Sequence, residues 1–102
     1  MIRTTLAGAV TLACLMPFAT ASANEDYQAE IWASACFACH GPEGRSDGGM
    51  PTLAGLSADG MYRMLLDFRS GERRATVMHH HTRGYSEQQL RRIADILGEP
   101  SN

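Results

Sequence analysis

The sequence of 102 residues contains no lysine and only three cysteines. All nine basic residues are arginines, and eleven acidic residues bring the net charge to −2. A domain whose main partner is nucleic acid or an anionic membrane usually has an excess of positive charge, so the composition removes the electrostatic case for either as the main partner. Three cysteines cannot form a multi-bridge disulfide scaffold. A chain this short must therefore be stabilised by something other than several disulfides or a large core.

The first 23 residues have the pattern of a secretory signal peptide. Arg3 precedes a short apolar segment, residues 6–16, and small residues with an A-x-A site follow it. The segment is shorter than the roughly 20 apolar residues that a membrane span needs. We expect cleavage after Ala23, with Ala21 as the second choice, and export of residues 24–102 to the periplasm. Cys14 stands in a loose lipobox, but its leucine is at the wrong offset, so a lipid anchor is not favoured.

Apolar spacing in the mature chain predicts three helices, two loops and no strand. The predicted helices cover residues 25–39, 57–71 and 86–98. Ser57 and Gly71 are suited to cap the second helix, and residues 86–89 form a capping box for the third. The loops cover residues 40–56 and 72–85. The prediction is a small all-α domain that has too few large apolar side chains to fold well without a bound group.

Cys36, Cys39 and His40 form a C-x-x-C-H motif, the attachment signature of c-type haem. Two thiols three positions apart can each bond to one vinyl group of a porphyrin, and the adjacent imidazole can bind the iron. A redox dithiol, a zinc site and a structural disulfide are the alternatives. The dithiol requires the pair at the start of a helix in a βαβ unit, and zinc requires a second ligand pair at metal spacing. We therefore predict one covalently bound haem, which also supplies the missing core.

The sixth iron ligand is expected from the later part of the chain. The candidates are Met50, Met61, Met64, Met78 and the consecutive His79, His80 and His81. Met61 and Met64 lie on the apolar face of the second predicted helix, where core packing explains them. Met50 lies in the loop on the His40 side of the haem. We predict Met78 as the ligand and regard His79 as the most credible histidine, while the triplet as a whole is expected to be solvated loop.

The order of these landmarks resembles that of class I cytochromes c. The resemblance is carried by residues 36–44, 50–56, 76–78 and 84–86. It implies three helices around one haem that is bound covalently to Cys36 and Cys39. It further implies that His40 and Met78 are the axial ligands and that the carbonyl of Pro51 accepts a hydrogen bond from His40.

Two further expectations come from this resemblance. The first and last helices should cross near the haem, and their expected contact set is Leu90, Ile93 and Leu97 against Tyr27, Ile31 and Ala35. The stretch of residues 50–86 is similar to the cytochrome subunit of flavocytochrome c sulfide dehydrogenase, which implies a flavoprotein partner and a role in sulfide oxidation.

Arginines flank both loops, and one or two of them are candidates to pair with haem propionates.

A six-coordinate iron with a histidine and a methionine ligand leaves no position for a substrate. We therefore expect a periplasmic protein that transfers single electrons, either as a free carrier or as a non-catalytic subunit of an oxidoreductase. The alternative is a haem enzyme or sensor whose distal ligand is labile and whose iron binds a small molecule.

Overall fold

The computed structural model of the protein describes residues 21–101. Residues 1–20 of the predicted signal peptide, Cys14 among them, lie outside this range, so signal cleavage stays a prediction. None of the described helices has the length and the apolar character that crossing a membrane requires.

The described part of the chain is built from four α-helices and one short 3₁₀ helix. In chain order they are α1 (Ala21–His40), the 3₁₀ helix (Pro42–Gly44), α2 (Ala58–Ser70), α3 (Met78–Arg83) and α4 (Glu87–Leu97). Over residues 21–101 the only extended pairing is an isolated bridge between Ser57 and Glu99. The predicted all-α class is confirmed.

The ends of α2 and α4 follow local capping chemistry. The Ser57 hydroxyl accepts a hydrogen bond from the Gly60 N–H, and Gly71 ends α2 in the left-handed conformation at a φ of 89°. At α4, the Ser86 and Gln89 side chains form the reciprocal capping box. Each of these signals depends on residues close in sequence, which is why the spacing alone identified both helices.

The prediction of a continuous loop over residues 72–85 is wrong at α3. Val77 precedes this helix and offers no side-chain cap, and histidine is a modest helix former, so the sequence carries no start signal there. Tertiary contacts stabilise the helix instead, since α3 packs against α2 and Thr82 is 1% exposed. The Thr82 hydroxyl donates a hydrogen bond to the Met78 carbonyl at 2.9 Å.

The core lies where α1 and α4 cross, around Ala33, Leu90 and Ile93. Half-buried side chains complete it: Trp32, Cys36, Tyr62, Leu65, Leu66, Tyr85 and Leu97. The expected α4 face is confirmed, but the expected α1 face is wrong, because Tyr27 is 66% and Ile31 51% exposed and Ala35 is also exposed. Ala33 of α1 lies in the core instead, and Trp32 of α1 packs against it.

The C-terminal segment holds α2 and α4 together at one end. The Ala58 N–H donates to the Glu99 carbonyl at 2.8 Å, and the Glu99 N–H donates to the Leu56 carbonyl at 2.7 Å. Arg91 on α4 reaches across to Asp59 on α2, with 2.6 Å between nitrogen and oxygen. The first turn of α2 is therefore fixed against the last turn of α4, and the opposite face of α2 is turned toward a cavity.

Candidate haem site

A cavity of about 480 Å³ lies between the end of α1, the loop that follows it, α2 and α3. Most of its wall is apolar, with Leu65 and Phe68 of α2 among the lining residues. All four methionines considered as iron ligands line it: Met50, Met61, Met64 and Met78. Cys36, Cys39 and His40 line it as well. The fold thus brings every predicted haem residue to one cavity.

His40 is the last residue of α1 and is 6% exposed. Its Nδ1 lies 2.6 Å from the Pro51 carbonyl oxygen. Because a carbonyl only accepts hydrogen bonds, Nδ1 must carry the proton, and the neutral ring then keeps a lone pair on Nε2. Within the described residues Nε2 is buried without any hydrogen-bond partner. A buried acceptor in that state is costly unless a bound group takes the lone pair, as a metal ion does.

Cys36 is half-buried and Cys39 is exposed, and within the described residues they form no disulfide. Burial raises the pKa of the Cys36 thiol, a backbone hydrogen bond lowers it, and the nearby Cys39 raises it further. A redox dithiol of the thioredoxin type depends on a lowered thiol pKa. The environment of Cys36 therefore does not favour that alternative. In residues 21–101, no group of three or more histidine, cysteine or acidic side chains is placed to hold a metal ion.

Met78 is the first residue of α3 and is half-buried at the cavity. Of the three histidines that follow it, only His81 lines the cavity. His79 and His80 instead face one another, with ring centroids 4.0 Å apart. Burial lowers the pKa of His79, and the positive charges of His80 and Arg83 lower it further. The triplet thus lies on a helix rather than in a loop, and the histidine nearest the site is not the one that the sequence favoured.

Four arginines lie in or beside the predicted loop of residues 72–85, and their side chains point to different places. Arg73 and Arg74 line the cavity, and the Arg73 guanidinium lies 5.6 Å from the centroid of the Phe68 ring. The Arg69 Nε donates to the Tyr85 carbonyl at 3.0 Å, and the Arg83 Nε to the Arg69 carbonyl at 3.5 Å. The spacing of these arginines in the sequence does not predict which of them line the cavity, because that depends on the path of the chain after Gly71.

These residues fit a c-type haem. The apolar wall suits a porphyrin face, and the buried Nε2 of His40 has a lone pair that can bind the iron. Two thiols stand beside it, and a methionine lines the part of the wall formed by α3.

Comparison with known proteins gives the same result. The family described as "Cytochrome c" matches residues 28–97. This chain belongs to the cytochrome c family. As a class I c-type cytochrome, it carries one covalently bound haem c and transfers electrons, which confirms the predicted family and cofactor.

Two relatives have names that refer to the oxidation of sulfur compounds. The chain is 36% identical over 72 residues to the "Cytochrome subunit of sulfide dehydrogenase" of Chlorobaculum tepidum, a match that covers 71% of this chain and 66% of that protein. It is 33% identical over 97 residues to the "Thiosulfate dehydrogenase electron acceptor" of Stutzerimonas stutzeri, over 90% of this chain and 45% of that protein. The chain thus spans just under two thirds of one relative and less than half of the other.

Proposed function

We propose that this cytochrome is a one-electron carrier whose haem is attached to Cys36 and Cys39 and whose iron is bound by His40 Nε2 and Met78 Sδ. The main observation behind this proposal is how the two ring nitrogens of His40 are bonded. One ring nitrogen is fixed to a backbone carbonyl, while the other is buried and without a partner at the cavity. When bound, the haem supplies an iron that is reversibly oxidised and reduced by one electron.

The residues around the cavity have separate tasks in this proposal. The Pro51 carbonyl holds the His40 ring in one orientation and one tautomer, and such a hydrogen bond also increases the basicity of the ligand nitrogen. The Met78 thioether favours reduced iron relative to a second histidine. The apolar side chains of α2 exclude water from the site. With both His40 and Met78 bound to it, the iron would keep no position for a substrate, which favours electron transfer over oxygen or peroxide chemistry.

The donor that we propose is a dehydrogenase of an inorganic sulfur compound, specifically a flavoprotein that oxidises sulfide. Support comes from the similarity to a cytochrome subunit of sulfide dehydrogenase and to a thiosulfate dehydrogenase electron acceptor. The signal-peptide pattern of residues 1–23 supports export, so we place the mature chain, residues 24–102, in the periplasm.

Spectroscopy of the exported protein tests the haem and its ligands. The reduced pyridine adduct should have the absorption of a c-type haem, and the mass should show one haem on a chain that begins at Asn24. The oxidised protein should show the weak red absorption band of iron–methionine ligation, and Met78→Ala should lose it. Rapid and complete binding of carbon monoxide by the reduced wild type would overturn the carrier function and favour the enzyme or sensor.

The partner is tested by co-purification from the native host. A tagged chain should retain a flavin-containing protein, and that complex should reduce the haem when sulfide is added. Isolation of the tagged chain as a monomer without such a companion, together with no sulfide-dependent reduction by host extract, would contradict the partnership and leave the carrier function intact.

A further inference from the structure

The side of α3 that faces the cavity carries a histidine, His81, in addition to Met78. We propose that His81 is an alternate distal ligand of the iron, which binds when the bond between the iron and Met78 opens. This inference rests on the proposed function, because it takes Met78 as the resting ligand.

Helix geometry places the two side chains on the same side of α3. Met78 and His81 are three residues apart in a helix of six, and positions i and i+3 share a face. Both line the cavity, whereas His79 and His80 do not. Since a helix rises ~1.5 Å per residue, the two Cα atoms are only about 4.5 Å apart along the axis. A small displacement of α3 therefore exchanges one side chain for the other.

The His81 imidazole is available for this role. Its side chain is exposed, and among the described residues neither ring nitrogen has a hydrogen-bond partner. A neutral imidazole has one nitrogen with a free lone pair, which is a common ligand for iron. His79 and His80 differ, because their rings lie against each other and outside the cavity lining.

The chain that leads into α3 is weakly held, while α3 itself is held together through Thr82. Val77 provides no side-chain cap, and within residues 21–101 the N–H groups of residues 74–77 donate no hydrogen bond to another backbone group. In contrast, Thr82 is buried and bonded to the carbonyls of Met78 and His79. Met78 is thus tied to Thr82 within α3, and α3 can shift as a unit on the weakly held chain that precedes it.

The exchange is a substitution at the iron without electron transfer. The bond from iron to Met78 Sδ breaks, and a bond from iron to a neutral His81 nitrogen forms. The oxidation state and the number of ligands stay the same. Because a methionine ligand gives a higher potential than a second histidine, the exchange lowers the reduction potential and stabilises oxidised iron. It also prevents the iron from becoming a binding site for small molecules when Met78 leaves.

The test uses the oxidised holoprotein with Met78→Leu, a substitution that removes the sulfur and nearly conserves side-chain volume. We expect the electron paramagnetic resonance spectrum of low-spin iron with two nitrogen ligands. Met78→Leu with His81→Ala should instead be high-spin. The matched control is Met78→Leu with His80→Ala, which removes an exposed neighbour that does not line the cavity and should remain low-spin.

Added imidazole gives a second readout. If His81 occupies the iron in nine molecules of ten, its removal raises the apparent affinity for imidazole about tenfold in the Met78→Leu background. The proposal is overturned if Met78→Leu is already high-spin or if His81→Ala leaves the imidazole affinity unchanged. A wild type with two nitrogen ligands would instead refute Met78 as the resting ligand, so failure of the proposed function is recognised separately. If Met78→Leu yields no holoprotein, Met78→Ala and its double variants are measured in the same way.

Discussion

The two segments that carry the proposed iron ligands are held together in different ways. The proximal segment, residues 40–56, is closed by hydrogen bonds from the N–H groups of Leu53 and Ala54 to the Gly44 carbonyl. Ser46 and Thr52 bond to each other across the same loop. Among the described residues, the distal segment, residues 72–83, has no such bond across the loop: the Arg73 N–H donates back to the Asp67 carbonyl of α2, and the next backbone donors, His80 and His81, belong to α3.

This difference indicates where the protein is preorganised and where it can change. His40 is oriented by its hydrogen bond to the Pro51 carbonyl, so the protein backbone sets the direction of this ring. Segments with few buried contacts and few hydrogen bonds open at lower free energy. A weakly held chain before α3, with Met78 and His81 one turn apart on that helix, is consistent with a distal ligand that exchanges and a proximal ligand that does not.

The largest expected effect is a difference in the yield of holoprotein between variants of the two proposed ligands. His40→Ala removes the oriented ligand, and we expect the amount of native holoprotein to fall roughly tenfold or more, since a ligand matters at least as much as the groups that orient it. Met78→Ala should still yield holoprotein with a changed spectrum and a lower potential. The measurement is haem absorbance per unit of purified protein, with His80→Ala as the control. Equal losses for His40→Ala and Met78→Ala would refute the contrast between the two sides.

The next expected effect tests the conformation of the proximal segment. Gly41 follows His40 at a φ of 87°, and a Cβ there would lie 1.9 Å from the Arg45 carbonyl oxygen. Gly41→Ala should therefore lower the free energy of unfolding of the holoprotein by about 2–4 kcal/mol through backbone strain and overpacking.

The matched control for Gly41 is Gly48→Ala in the same loop. A Cβ at Gly48 meets no atom within 4 Å. Its effect should stay within about 0.5 kcal/mol, as for most surface substitutions. Denaturant unfolding followed by haem absorbance measures both variants, and similar losses for the two glycines would show that the proximal loop is not held by this turn.

The sequence could predict those parts of the fold and the site whose determinants lie close together in the chain. The capping residues Ser57, Gly71 and Ser86 act on groups within a few positions, and the C-x-x-C-H motif is contiguous, so both were recognisable. The distal helix and the position of His81 depend on the packing of α3 against α2, which no local pattern encodes. For the same reason the sequence suggested the wrong face of α1. The size of Ile31 implies burial, whereas the crossing with α4 buries Ala33 and leaves Ile31 exposed.

A smaller effect is expected at Pro51, where the backbone rather than the side chain contacts His40. Pro51→Ala keeps the carbonyl that accepts from Nδ1, so the iron–histidine bond and the methionine band should both persist. The freed φ adds entropy to the unfolded chain and should lower stability by about 0.4–1 kcal/mol. Pro42→Ala, at the start of the 3₁₀ helix, is the control for the loss of a proline, and both variants should lose similar stability and keep the reduction potential of the wild type. A Pro51→Ala variant that loses the histidine ligand would show that the proline ring itself orients His40.

The smallest expected effect concerns the link between α2 and α4, away from both ligand segments. Hydrogen bonds from Arg91 and from Ser101 hold the pKa of the Asp59 carboxyl below its ordinary value of 3.8. A lowered pKa in the folded state means that the unfolded chain binds more protons at low pH. The stabilisation by Asp59 is therefore complete above pH 3.8 and is lost as the pH falls through the lower folded value.

Asp59→Asn should remove this stabilisation at neutral pH, so the difference in unfolding free energy between wild type and variant should shrink on acidification. Asp47→Asn is the control, because the structure shows no ion pair for Asp47 within residues 21–101. The wild type and both variants share every other titratable group of the described residues, so the difference between their unfolding curves isolates the substituted carboxyl. A difference that stays constant with pH would show that the ion pair with Arg91 contributes nothing. A changed haem spectrum in Asp59→Asn at neutral pH would show that the α2–α4 link positions the methionines of α2, and stability and ligation could then no longer be treated separately.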